Sequence, residues 1–344
     1  MSGIACAGHW TIDHIKFIDH WPQKSELCNI TSELISNGGA PFNIIVDLAN
    51  LKVNFPTYGI GCIGDDLESK YIHQICTEQN INIEFLQVLH DKSTSYTDVM
   101  TLQDRGTRTM FHCRGANSFF TPQHVPLKKL QTLHIKLFYL GHLLLMDALE
   151  KPDKQHAIAA GRLLHDAQQA GMETVVDIAT ESSKRYQKIV VPVLPYIDHF
   201  IINELEAEKT ANYQTRDANN KIIKDGIKQA AKFLLDHGVN NNVVIHMPEG
   251  SYWLSKGNKT GIWHPSLAIP KDFFIAACGA GDAFCAGIMV GLHEQWNQLD
   301  TQRLATTCAA ATINSRHNSN GIMPLKTTLS LADKFGLNGK IEYW

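Results

Sequence analysis

Cys278-Gly279-Ala280-Gly281-Asp282 leads straight into an apolar helical run carrying Ala286, Ile288, Met289, Val290 and Leu292. Side chains this small let backbone N–H groups approach an anion closely, and the helix start behind them adds partial positive charge. An Asp beside such a cradle is ionised near neutral pH and can take the proton of an attacking hydroxyl while a phosphoryl group crosses the cradle. The same residues also suit a simple turn closed by a capping Asp, so the segment alone leaves both readings open. Other phosphate loops are missing. No Gly-x-x-x-x-Gly-Lys-[Ser/Thr] occurs, Gly257-Asn258-Lys259-Thr260 lacks the Gly-Lys junction, and no Gly-x-Gly-x-x-Gly comes directly after the first strand.

A second set of residues could hold a hydroxylated acceptor. Gly38 and Gly39 open a helix where a polyol could reach backbone amides, Asn43 one turn inside offers both a donor and an acceptor, and Asp13 could accept hydroxyl protons. A helix start, an exposed amide and a turn carboxylate are the plain alternatives. Asn203 and Glu206 fall at a strand-to-helix junction, where polar side chains can organise Mg²⁺-bound water and phosphate oxygens, or merely cap the helix. The 8 cysteines include no Cys-x-x-Cys, and none of the 17 histidines falls in a His-x-His or His-x-x-x-His spacing. Zinc and dithiol chemistry are therefore not indicated, and reduced thiols in a cytosol are the simplest reading.

The elements that must carry these residues alternate in type. Helical patterns fit 40–51, 67–79, 154–170, 224–237, 281–293 and 301–315, and strand patterns fit 4–7, 57–60, 138–140, 173–177, 199–202 and 243–246. Strands alternating with helices predict an open, mainly parallel sheet covered on both faces, with ligands at the carboxyl ends of its strands. Two patches read instead as half-exposed antiparallel strands, one from Thr11 to about Gly38 and one from Thr94 to Cys113, with Asp104-Arg105-Gly106 as a hairpin turn. They are expected to pair as a small sheet beside the main body. Lys plus Arg total 31 against 34 for Asp plus Glu, a net charge of −3, so no basic surface for nucleic acid or anionic lipid is expected. The apolar stretches are too short or too polar to cross a bilayer, and the N-terminus lacks a basic region followed by an apolar one, so a cytoplasmic protein is expected.

Gly279-Ala280-Gly281-Asp282 and its helix resemble the C-terminal signature of the ribokinase-like (pfkB) carbohydrate kinases. Gly38-Gly39-Ala40-Pro41-Phe42-Asn43 resembles that family's N-terminal Gly-Gly motif, Gly59-Ile60-Gly61-Cys62-Ile63-Gly64-Asp65-Asp66 its Gly-x-x-Gly-Asp-Asp stretch, and Asn203-Glu204-Leu205-Glu206 its Asn-x-x-Glu motif. All four occur in the family's order and together span nearly the whole chain. The resemblance implies an α/β, three-layer αβα ribokinase-like fold with a mainly parallel central sheet and a small β-sheet lid. It implies one kinase domain over 1–344, the lid being formed by about 11–38 and 90–116. It further implies ATP-dependent phosphorylation of a hydroxyl on a sugar or sugar-like molecule, with Asp282 as base and Gly279, Ala280 and Gly281 as the anion hole. Asp13, Gly38, Gly39 and Asn43 match acceptor-binding positions, and Asn203, Glu206, Gly250 and Cys308 nucleotide-binding ones, Glu206 acting on Mg²⁺ through water. Gly115-Ala116-Asn117 is similar to a segment near the lid hinge.

Three features depart from the family pattern. Ala276-Ala277 replace an Asp-Thr whose carboxylate belongs to a monovalent-cation site in many members, which leaves K⁺ activation unsupported. Met247-Pro248-Glu249-Gly250 replaces a Gly-x-x-Gly nucleotide loop, and Asp177-Ile178-Ala179 replaces Asp-x-Asn. The expected ligands are ATP, Mg²⁺ and a small sugar or nucleoside acceptor, with no nucleic acid or membrane partner and a lid edge available for a homodimer. A nucleoside kinase and a non-catalytic sugar or nucleotide sensor are the alternatives.

Overall fold

Alternate residues of the strands enter two different cores. Ile4 and Cys6 face one apolar cluster while Ala5 and Ala7 face the other, and the same division separates Leu137 and Tyr139 from Phe138 and Leu140, and Ile201 from Phe200 and Ile202. A sheet apolar on both faces must be covered on both faces, which makes three layers. The computed structural model describes residues 2–102 and 108–344.

The strands run in the order β1 Gly3–Gly8, β2 Thr11–Ile18, β3 Ile30–Gly38, β4 Thr57–Ile63, β5 Asn82–Val88, β6 Ser95–Leu102, β7 Arg108–Cys113, β8 Ile135–Leu143, β9 Pro152–Asp153, β10 Ala157–Ile158, β11 Glu173–Ile178, β12 His199–Asn203, β13 Asn242–Met247, β14 Gly250–Ser255, β15 Ile262–Pro265 and β16 Glu342–Tyr343. Between them lie α1 Ala40–Leu51, α2 Leu67–Glu78, α3 Leu127–Thr132, α4 Ala159–Gln169, α5 Tyr186–Ile189, α6 Glu204–Ala211, α7 Lys224–Asp236, α8 Ala280–His293, α9 Gln298–Thr312 and α10 Leu325–Phe335. The central sheet has 10 strands in the order β16-β15-β14-β13-β12-β11-β8-β1-β4-β5. It is parallel from β5 to β13 and antiparallel beyond. Helices α4, α6 and α7 cover one face, and α1, α2, α8 and α9 the other.

Helices α8 and α9 approach closely because their facing residues are small. A Cβ on Gly287 would lie 2.5 Å from the Ala305 Cα, and one on Gly291 2.2 Å from the Thr301 hydroxyl. Replacing either glycine would force the helices apart. Cys308 lies on this packed α9 face with 0% exposure, so the small residues around it serve helix packing, and the expected contact with a nucleotide is corrected to a core position.

The lid is a second sheet of 4 strands in the order β3-β2-β6-β7. Its sequence patches fall where expected, but β2 and β6 pair in parallel, so the sheet is mixed rather than wholly antiparallel. Strand alternation places side chains on faces without fixing strand direction, which is why this pairing could not be read from the pattern. The Asp104-Arg105-Gly106 turn lies outside the described residues. Among those described, no helix is long and apolar enough to cross a membrane.

The base of the lid is built from the Gly-x-x-Gly-Asp-Asp stretch and the Gly115-Ala116-Asn117 segment. Asp66 caps α2 by accepting from Ser69 N–H at 3.0 Å, and it also accepts from the backbone and hydroxyl of Thr94, both at 2.6 Å. Gly64 N–H donates to the Thr94 hydroxyl at 2.9 Å, and a Cβ there would strike the Lys92 carbonyl at 2.4 Å. Asn117 is fully buried and donates to the Trp10 carbonyl at 2.7 Å and to the Ser95 hydroxyl at 2.6 Å. Lid strands β2 and β6 are thus pinned where they begin, at Trp10 and at Thr94 and Ser95.

Candidate active site

Gly279 takes φ 76° at the N-cap of α8, a left-handed conformation that a side chain would strain, and a Cβ there would lie 2.3 Å from the Asn318 carbonyl. The first bond of the helix runs from Ala283 N–H to Gly279 O at 2.9 Å. The amides of Ala280, Gly281 and Asp282 therefore have no partner within the helix and can face an oxyanion. Gly281 keeps this edge thin, since only His246 lies near the place its Cβ would take, at 3.2 Å.

Asp282 occupies the first turn of α8, half-buried. Its Oδ2 accepts from Asn43 Nδ2 at 2.6 Å, and Asn43 Oδ1 in turn accepts from Asn37 Nδ2 at 2.7 Å. Asn37 also donates to the Ser319 hydroxyl at 3.0 Å. Asn43, expected to contact the acceptor, gives one amide N–H to Asp282 and accepts from Asn37 at Oδ1, so it orients the carboxylate and keeps a second N–H. Burial pushes the Asp282 pKa up, while His142, the Asn43 hydrogen bond and Arg108 restrain the rise. A carboxylate whose pKa is raised is better matched to accepting a hydroxyl proton.

Asp13 lies on β2 with its Oδ2 accepting from Asn318 Nδ2 at 2.7 Å, and burial raises its pKa to about 7. Gly38 is required beside it, since a Cβ there would fall 2.3 Å from Asp13 Oδ1. Gly39 takes φ 77° at the N-cap of α1, and a Cβ would meet the His9 carbonyl at 2.1 Å. Asp13 and Asp282 act on each other electrostatically, so the two motifs, far apart in sequence, share one site.

His142 and Asp177 complete the floor, and the sequence did not single out either as a site residue. Asp177 Oδ2 accepts from the Tyr139 hydroxyl and Oδ1 from His142 N–H, both at 2.6 Å. A φ of 60° at His142 turns its ring inward, so that one ring nitrogen and one oxygen each of Asp177 and Asp282 lie within 4.8 Å of one another. Behind it, His142 Nδ1 lies 3.3 Å from His9 Nδ1, His9 Nε2 lies 3.1 Å from His112 Nε2, and His112 Nδ1 lies 3.1 Å from the Thr97 hydroxyl. This row joins core strand β8 to lid strand β7 through His9, which lies between β1 and β2. Burial holds His9 well below the usual imidazole range and His112 at about 4, so both are neutral near pH 7.

At the end expected to bind the nucleotide, Asn203 and Glu206 form a reciprocal capping box on α6. Asn203 Oδ1 accepts from Glu206 N–H at 2.8 Å, while Glu206 Oε2 accepts from Asn203 N–H at 3.0 Å and Oε1 from the Thr180 hydroxyl at 2.6 Å. Burial raises the Glu206 pKa to about 8, and Asp177, raised to about 6, adds repulsion. A set of carboxylates pushed up together suits a divalent cation, whose charge would offset their repulsion. With both Glu206 oxygens already hydrogen-bonded, contact through water fits this arrangement better than direct ligation. Gly250 is buried at φ 154° in the β13–β14 hairpin, where a Cβ would meet the His264 carbonyl at 2.3 Å. The neighbouring Glu249 is clamped by Arg216 through two bonds of 2.8 Å.

Known proteins place this geometry in context. The pfkB family carbohydrate kinase profile matches residues 1–324. A deoxyribokinase from Salmonella typhi is 22% identical over 286 residues, covering 82% of each chain. A nucleoside kinase from Methanocaldococcus jannaschii is 26% identical over 289 residues, covering 84% of this chain and 83% of the relative. The structure of Arabidopsis thaliana ribokinase complexed with ribose and ATP superposes with a TM-score of 0.78 at 20% identity, over 96% of this chain and 99% of that one.

Proposed function

The chain belongs to the pfkB family of carbohydrate kinases, and from that premise we propose that it transfers the terminal phosphoryl group of ATP to a hydroxyl of a sugar or sugar-like acceptor with Asp282 as the base. The observation that carries the assignment is the Asn37-Asn43-Asp282 hydrogen-bond chain, which orients one carboxylate in the first turn of α8, whose amides have no partner within the helix.

Asp13 accepts from an acceptor hydroxyl, and Gly38 and Gly39 give the acceptor access to the backbone. Asp282, oriented by Asn43, takes the proton from the attacking oxygen. The amides of Ala280, Gly281 and Asp282 stabilise charge on the phosphoryl oxygens. Mg²⁺, when bound with the nucleotide, neutralises phosphate charge, and Asn203 and Glu206 would hold it through water. Little covalent chemistry is asked of the protein, so positioning dominates. The lid, pinned at Thr94 and Asn117, covers the site and keeps water from competing with the acceptor.

A nucleoside acceptor is the second reading. Ile15, Val99 and Met110 form one cross-strand row on the lid face that also carries Asp13, and an apolar row suits a base. A coupled ADP-release assay over ribose, fructose, 2-keto-3-deoxygluconate and adenosine tests both. Acceptor-dependent ADP release supports the kinase reading and ranks the acceptors; ATP binding with no release for any of them would favour a sensor instead.

A further inference from the structure

Resting on the kinase reading, we propose that the cavity under the outer end of the lid is an oxyanion site, in which Arg108 and Arg316 hold a phosphate or carboxylate group where many family members carry a monovalent cation. The strand register sets the stage. Asp13, Thr97 and His112 lie side by side, and four residues further along each strand Phe17, Thr101 and Arg108 form a parallel row on the same face. Four residues of strand span about 13 Å, so Arg108 reaches over the segment ahead of the anion cradle rather than over Asp13. There it lines a cavity with Phe17, Ala276, Ala277, Cys278 and Arg316.

The chemistry of that cavity is one-sided. Among the described residues no carboxylate lines it, and Ala276-Ala277 supply none, so a cation bound there would meet two guanidinium groups and no compensating charge from those residues. K⁺ does not fit. The two arginines are unusual within the molecule as well. Arg114, Arg162, Arg185, Arg216 and Arg303 each pair with a carboxylate, whereas among the described residues Arg108 and Arg316 do not. Arg316 lies over the Phe17 ring at 5.2 Å, which orients the guanidinium, and among the described residues nothing takes its N–H groups. Two planar donor forks converging on one cavity match the oxygens of a phosphate or carboxylate. The field of Arg108 reaches both Asp282 and Cys278 and favours their charged forms, which places the site beside the reacting centre. Because Arg108 rides on the lid, anion binding and lid closure favour each other.

The oxyanion can come from the terminal phosphate of ATP or from an acidic group on the acceptor. Isothermal titration of wild type, Arg108→Gln and Arg316→Gln with inorganic phosphate tests the site itself, in potassium and in tetramethylammonium chloride. We expect both variants to bind phosphate at least tenfold more weakly, with no effect of potassium; among the described residues neither side chain has an ion pair to lose, so the thermal midpoint of Arg108→Gln should hold and that of Arg316→Gln should fall only by its Phe17 contact. Two further arms locate the source. If it is ATP, Arg108→Gln weakens AMPPNP at least tenfold more than ADP; if it is the acceptor, it weakens 2-keto-3-deoxygluconate at least tenfold more than fructose. Wild-type phosphate affinity in both variants, or a tenfold gain with potassium, overturns the proposal. These are binding measurements, so an absence of ADP release with every acceptor would sink the kinase reading without touching the anion site.

Discussion

Replacing Asn43 by Leu isolates what orients and tunes the base. The side chain is 3% exposed and of similar size to Leu, so the change removes hydrogen bonds more than volume. Its Nδ2 donates to Asp282 at 2.6 Å, and a hydrogen bond to a charged group is worth about 1.5–3 kcal/mol. The bond favours ionised Asp282, so its loss raises a pKa that burial has already raised. At about 1.4 kcal/mol per unit, the further rise is about 1–2 units. Turnover measured from about pH 5 to about pH 10 should show the acid limb of kcat displaced upward by that amount. The KM for ATP should be unchanged, and kcat should recover on the alkaline side. An acid limb that stays in place or moves down would refute the role given to Asn43.

Other perturbations test the nucleotide and acceptor ends. Glu206 has its pKa raised from 4.5 to about 8, so its contribution is fully present below about pH 4.5 and is lost as pH rises through about 8. Glu206→Gln should therefore be as stable as wild type at low pH and more stable at high pH, by up to about 5 kcal/mol from linkage. Urea unfolding at either end of that window, without nucleotide, checks the sign; greater destabilisation at high pH would contradict it. Gly39→Ala places a Cβ 2.1 Å from the His9 carbonyl at φ 77°. Strain at such a position is of order 1–3 kcal/mol, and the α1 start must shift. Acceptor affinity should fall at least tenfold while ATP affinity holds, and equal losses for both ligands would argue against a local acceptor role.

The parts of this molecule that follow a local rule were legible in its sequence. Helix α1 begins and ends where its pattern predicts because Gly39 and Pro41 open it and its buried face is continuous. The expected helix at 154–170 instead begins at Ala159, because Pro152–Asp153 and Ala157–Ile158 form a small hairpin first. Strands β14 to β16 were not foreseen, since they gain their place by adding to a sheet edge. In the site, Asp13, Gly39, Asn43 and Asp282 converge as their motifs imply. Asn37, Asn318, Ser319 and the His9-His112-His142 row were invisible, because each is an ordinary polar residue until folding brings it against a partner. For His9 and His112 that partner is 103 residues away. Cys308 misled for the complementary reason: small residues along a helix suit a pocket wall or a tight helix pair, and only the position of α8 decides between them.

The proton-accepting role of one carboxylate remains the centre of the account, and Asp282→Asn probes it with little change of shape. Binding of ATP and acceptor by titration calorimetry, measured beside ADP release, should show affinities within a few-fold of wild type. Turnover should fall by about 10²–10⁴, the usual contribution of a general base. An amide variant that turns over at the wild-type rate, or one whose lost activity is explained entirely by lost binding, would contradict it.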